Sequence, residues 1–159
     1  MGDSIVHWAG KIHASLPVAG QVSWIGERGA HVAGLAKRLR KKLRNRPYPT
    51  TILLHIGTND IFENTTYVMR SVIQDNLRGI RNLLPNTRII WSDILPRLYY
   101  HRERQPGAGS RVSKFLNGVA HREIRAMGNA HIINHEGCFL PQALDYIGSR
   151  GYICARRAH

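Results

Sequence analysis

Between residues 30 and 135 this chain alternates short apolar runs with longer amphipathic stretches, and that alternation leaves few folds open. The runs TILLHI, TRIIWSDI and AHIINH are bounded by Pro, Gly and Asn and are apolar without a break, the pattern of strands buried on both faces. They predict strands near 52–56, 88–92 and 131–134. Between them, Val32, Leu35, Leu39 and Leu43 recur at helical spacing. So do Val72, Ile73, Leu77, Ile80 and Leu84, and then Val112, Phe115, Leu116, Val119 and Ile124. These predict helices near 30–45, 67–84 and 112–127. The stretch RPYP removes amide donors after the first helix, PN ends the second and Gly128 the third. Strand and helix in strict turn imply right-handed crossovers and a mainly parallel sheet. The expected class is α/β, a three-layer α/β/α sandwich, and the loop at 101–111 is its most mobile segment.

The chain has 159 residues, of which 43% are hydrophobic, enough for one domain over 1–159 with a sizeable core. Lys and Arg number 23 against 10 acidic residues, a formal charge of +13 that favours phosphate backbones or other anionic surfaces as weak partners. Cys138 and Cys154 are too few for a disulfide framework and lack zinc-site spacing, which points to a reducing, intracellular compartment and to no metal. No apolar run approaches the roughly 20 residues of a membrane span. The first residues have no basic segment leading into an apolar one, so they do not read as a secretion signal.

Three short stretches fall at or just beyond expected strand ends: GDS at 2–4, GERGA at 26–30 and GTND at 57–60. In parallel sheets ligands gather at the carboxyl ends of strands, so the three should converge. Each also has an ordinary explanation. Ser4 is a turn serine, Gly29 a hinge before the first helix, and Asn59 a cap for a helix starting near Ile61. Asp3 and Asp60 are expected to accept hydrogen bonds from backbone amides at these turns.

In order and spacing these blocks resemble the SGNH hydrolases, the GDSL family of esterases and lipases. The pieces GDSIVHWAG, VSWIGERGAHVAGL, LLHIGTNDI and IIWSDILPRLYY look like the SGNH-type domains scattered in vertebrate genomes, many of them carried in transposable elements. The resemblance covers about residues 2–135, and the order Trp-Ser-Asp-Ile-Leu-Pro-Arg at 91–97 is its more specific marker. It implies an SGNH/flavodoxin-like fold and a cofactor-independent serine esterase acting on a small carboxylic ester. Ser4 would be the nucleophile, with Gly29 and Asn59 as oxyanion donors. A tetrahedral intermediate needs donors aimed at its negative charge; a Gly amide permits close approach, and Asn donates without carrying charge.

Two departures accompany the resemblance. No apolar strand precedes GDS, and the expected Asp-x-x-His block is not found: the last acidic residue, Asp145, is followed by Tyr-Ile-Gly, and no acid supports His159. The expectation is a domain lacking its first strand and its C-terminal catalytic block, impaired or inactive because a serine hydroxyl needs a base to become nucleophilic. Of the nine histidines, His55 reads as a satisfied core residue, while His131 and His135 flank the last strand. His135 and His159 are the first to test as a base. The alternative function is a non-catalytic module of transposon origin that binds nucleic acid or a protein partner. The run KRLRKKLRNR at 37–46 suits either nucleic acid or a solvated helix face, and no aromatic residue interleaves with its cations.

Overall fold

Thr51–Leu54 (β1), Arg88–Ser92 (β2) and Ala130–Ile133 (β3) form a parallel sheet in the order β1-β2-β3. The computed structural model describes residues 1–12, 22–97, 100 and 102–135. Ile52 lies opposite Ile89, and Ile89 opposite Ala130. Helices Ser4–Ile12 (α1), Leu35–Leu43 (α2), Thr66–Leu83 (α3) and Ala108–Ala126 (α4) complete the described elements. Alternate strand residues share a face, and Ile52, Leu54, Ile89 and Trp91 are buried with Leu39, Met69, Ile73, Leu77, Ile80 and Leu116 from α2, α3 and α4. Each such side chain contributes roughly 1.5–3 kcal/mol by leaving water. A polar clamp joins α3 to α4: Arg78 Nε donates to Glu123 Oε2 at 3.0 Å, and Gln74 Nε2 to Glu123 Oε1 at 2.7 Å.

Two helix starts differ from the sequence expectation, and glycine explains both. α2 begins at Leu35 because Gly34, at φ 73°, turns the chain through left-handed backbone; Val32 joins the core without being helical. α4 begins at Ala108, after Gly107 at φ 75°, so part of the 101–111 loop is helix. The rest of that loop is tied by Glu103, whose carboxylate accepts from the Tyr100 and Gly109 amides at 3.2 and 3.0 Å.

Gly2 joins the sheet through isolated bridges. Gly2 makes parallel bridges to Gly26 on one side and His55 on the other. The Gly2 amide donates to Ile25 O at 2.9 Å and the Glu27 amide to Gly2 O at 3.0 Å, while the His55 amide donates to Met1 O at 3.0 Å. The spatial order is therefore Gly26, Gly2, β1, β2, β3, with every pairing parallel. The chain crosses outward from Gly2 to Gly26 and then back to β1, so right-handed crossovers place α1 on the face opposite α2–α4. α1 was not expected from the sequence, whereas the bridge at Gly26 lies at the strand end where the GERGA block was expected to fall.

α1 crosses the sheet closely at Gly26, where an added Cβ would stand 2.2 Å from His7 N and 2.4 Å from His7 Cα. Backbone cannot yield as a flexible side chain can. Gly26→Ala is expected to destabilise the protein by about 1–3 kcal/mol, lowering the melting midpoint by roughly 2–4 °C for each kcal/mol. Gly118→Ala is the control, since nothing lies within 4 Å of a Cβ there and α4 favours alanine. A Gly26→Ala midpoint equal to that of the unsubstituted chain would contradict the close crossing.

Candidate active site

The reversal of strand order falls between Gly2 and β1, and such a switch point opens a crevice beyond the carboxyl ends of the strands. Ser4 follows the Gly2 bridges and opens α1; Gly29 follows the Gly26 bridge; Asn59 follows β1. Parallel pairing thus brings the three to one edge of the sheet. Asp3 caps α1: its carbonyl accepts from the His7 amide at 3.0 Å and its Oδ1 from the Ile5 amide at 3.0 Å.

The GTND block grips the GERGA block. Thr58–Asp60 is a single 3-10 turn, entered through Gly57 at φ 120°. Asn59 Nδ2 donates to Ala30 O at 2.9 Å, and Asp60 accepts from the Val32 amide with both oxygens, at 3.2 and 3.0 Å. One amide N–H of Asn59 is used in this way, leaving its second available to a ligand. The idea that Asn59 caps a helix is corrected: the next helix begins at Thr66, and its cap is Thr65, whose Oγ1 accepts from the Val68 amide at 3.3 Å.

Gly29 is required by backbone rather than by crowding. It has φ 70° in the turn closed by the Ala30 amide on Glu27 O at 3.2 Å, yet nothing lies within 4 Å of an added Cβ there. No protein atom crowds this glycine; its surroundings are open space.

Gly29 and Asn59 line one cavity of about 200 Å³, together with His31, Thr58, Arg97 and Tyr100. Ser4, half-buried, is not among the lining residues. Sequence reasoning missed His31, two residues beyond Gly29. Its Nδ1 stands 3.5 Å from Asp60 Oδ1, so a cavity-lining imidazole has a buried carboxylate behind it. Burial pushes the Asp60 carboxyl above the ordinary carboxylate range, against the Val32 amide and His31, which act in the other direction. Among the described residues no three His, Cys, Asp or Glu side chains gather to hold a metal ion, and no helix is long and apolar enough to cross a membrane. His159 and the region of Asp145 lie outside the described residues.

Three solved structures share this architecture. A Streptococcus pneumonia protein provisionally described as a platelet activating factor is 21% identical with a TM-score of 0.70, over 89% of this chain and 67% of that one. The psychrotrophic esterase EstA from Pseudoalteromonas sp., inhibited by monoethylphosphonate, is 19% identical with a TM-score of 0.53, over 82% and 63%. An acetyl esterase carrying a serine-to-alanine substitution, with acetate ion, is 15% identical with a TM-score of 0.53, over 83% and 75%. The fold is SGNH-hydrolase-like. The chain spans between 63% and 75% of these neighbours' lengths. No protein-family model and no curated protein matches the sequence.

Within this SGNH-like fold the Trp-Ser-Asp-Ile-Leu-Pro-Arg marker fastens the carboxyl edge of the sheet. Trp91 is fully buried, Asp93 Oδ1 meets His121 Nε2 of α4 at 2.6 Å, and the Ile94 amide donates to Asn117 Oδ1 at 3.0 Å. Ser92 Oγ lies 3.0 Å from His55 Nδ1 and 2.8 Å from His135 Nε2. His135 is thus engaged at the ends of β2 and β3. His55 is buried as expected but only half satisfied: its Nε2 has no hydrogen-bond partner among the described residues.

Burial lowers the His55 pKa from its ordinary 6.5, with Asp3 opposing the shift. Well above 6.5 the imidazole is neutral folded or unfolded and adds no pH dependence. Below it, the unfolded chain takes up a proton that the folded chain resists, so stability must fall with pH. The urea midpoint is expected to drop between pH 7.5 and about 5.5, a window around the unperturbed histidine value, and His55→Gln to flatten that slope. An unchanged slope would assign the acid sensitivity to other groups.

Proposed function

We propose that the chain carries an SGNH-type serine esterase site for a small carboxylic ester, of low activity in this 159-residue form. Ser4 is the nucleophile, and Gly29 and Asn59 stabilise the oxyanion. The observation that supports this most is the shared cavity of Gly29 and Asn59 at the switch point beside Ser4. Two neighbours are esterases, one solved with a phosphonate inhibitor and one with acetate. A cavity of about 200 Å³ suits an acetyl-sized acyl group better than a long chain. In the proposed reaction the Ser4 oxygen attacks the ester carbonyl as a base takes its proton. Collapse of the intermediate then expels the alcohol, and water releases the acid from the acyl-serine.

The base limits the rate. Losing the histidine of a subtilisin triad costs about a million-fold, a value measured in another enzyme. Free imidazole supplies the missing function in a test. Hydrolysis of a chromogenic acetate ester should rise with imidazole more steeply for this chain than for Ser4→Ala, whose rate contains imidazole's own catalysis. Equal rates would remove the esterase reading. They would favour a non-catalytic SGNH-like module, a reading supported by the position of Ser4 outside the cavity lining.

A further inference from the structure

We infer that a groove beside α2, remote from the candidate active site, binds single-stranded nucleic acid. The groove has a volume of about 670 Å³ and is lined by Lys37, Arg40, Lys41, Arg44, Arg46 and Tyr48, with Leu83 from the end of α3. It lies where α2 leads into the start of β1 and α3 toward the start of β2, so it opens at the amino ends of the strands. The candidate active site sits at their carboxyl ends.

The charge here is uncompensated. On the same helix, Arg38 and Lys42 face Glu27 at 3.7 and 3.8 Å. Among the described residues no acidic group lies within ion-pair distance of the five groove cations. The sequence offered no aromatic partner inside the 37–46 run, but the folded chain brings one back. Asn45, at φ 63°, reverses the backbone, the Arg46 amide closes on Leu43 O at 3.0 Å, and Tyr48 returns to the groove with 59% of its surface exposed. Cations that track a phosphate backbone beside an exposed ring form the usual device for holding unpaired bases. A duplex hides its base faces from such a ring. An anionic lipid surface would be expected to engage several apolar side chains rather than one tyrosine.

The test is fluorescence anisotropy of the whole chain with labelled rU20 and dT20 across a salt series. Binding to both is expected, with a log-log salt slope no steeper than about −3.5 for five phosphate contacts on a single strand. Tyr48→Ala should weaken binding roughly 5- to 150-fold at unchanged slope, by loss of one stacked base, while Tyr48→Phe retains it. Arg44→Gln with Arg46→Gln should flatten the slope by about 1.4. Arg122→Gln with Arg125→Gln, on exposed positions of α4, removes the same net charge elsewhere and should change affinity less than twofold. The proposal is overturned by a Tyr48→Ala chain that binds as the unsubstituted one does, or by an α4 pair that weakens binding as much as the groove pair. Tighter binding to a 20-base-pair duplex, or equal binding to phosphatidylserine vesicles regardless of Tyr48, also overturns it.

Discussion

Asn59→Ala is expected to lower the imidazole-supported, Ser4-dependent hydrolysis by about 100- to 1,000-fold, the usual cost of removing one oxyanion-hole donor. The loss should fall on kcat, with KM nearly unchanged, because the donor meets full negative charge only as the tetrahedral intermediate forms. Asn59 also ties its turn to Ala30 O, so a structural contribution must be separated from a chemical one. Asn59→Asp removes the same N–H donors, the one to Ala30 O included, and places charge where the oxyanion would form, so it should be no better than alanine; the melting midpoint of each variant reports the structural loss separately from the loss in kcat. A loss under fivefold in both variants would mean that Asn59 is a turn residue only. His31→Ala belongs to the same series. If His31, backed by Asp60 at 3.5 Å, accepts the Ser4 proton, its removal abolishes whatever Ser4-dependent hydrolysis occurs without imidazole and leaves the imidazole-supported rate in place.

The parts of the fold legible in the sequence are those where burial imposes a period. The runs around Ile52, Ile89 and Ile132 are legible because they are short, apolar and β-branched, and α3 and α4 carry long stripes of Ile, Leu and Val; the expected burial on both faces is corrected, since among the described residues Ile52 and Leu54 are buried while Leu53 is 40% exposed and no residue of β3 is fully buried. α1 is short and presents exposed Trp8 beside buried Val6, and the segment at Gly26 pairs through a single residue on each strand, so neither has a period to detect. The candidate site follows the same division. Ser4, Gly29 and Asn59 stand in recognisable blocks, and parallel pairing carries those blocks to one edge. His31 acquires interest only through Asp60, 29 residues away, and Tyr48 only through the reversal at Asn45; neither relation is written in local spacing. Glycine carried more than one meaning as well. Gly26 is required by the backbone of His7, whereas Gly29 is required by its own φ of 70° in open surroundings.

Asp60→Ala is expected to destabilise the protein by about 2–4 kcal/mol and to loosen the turn that holds Gly29. Both Asp60 oxygens accept from the Val32 amide, and Asp60 and Val32 are 2% and 1% exposed, so water cannot replace the lost acceptor. A buried donor stripped of its partner costs about 1–3 kcal/mol, more where the partner was charged, and the vacated side-chain volume adds to that. Asp60→Asn keeps an acceptor oxygen for Val32 and should cost much less. The pH dependence gives an independent reading. Burial raises the Asp60 carboxyl above its ordinary 3.8, so the folded chain holds this proton more tightly than the unfolded chain. The contribution of Asp60 is therefore fully present below 3.8 and is lost as pH rises through the raised value, opposite in direction to that of His55. Urea midpoints for the unsubstituted chain, Asp60→Asn and Asp60→Ala at pH 4 and pH 7 resolve the two effects, with amide exchange at Ala30 and Val32 reporting the turn. Asparagine should remove the pH dependence at little cost, and alanine should remove it while accelerating exchange at both amides. Equal destabilisation by alanine and asparagine would instead place the importance of Asp60 in its charge facing His31.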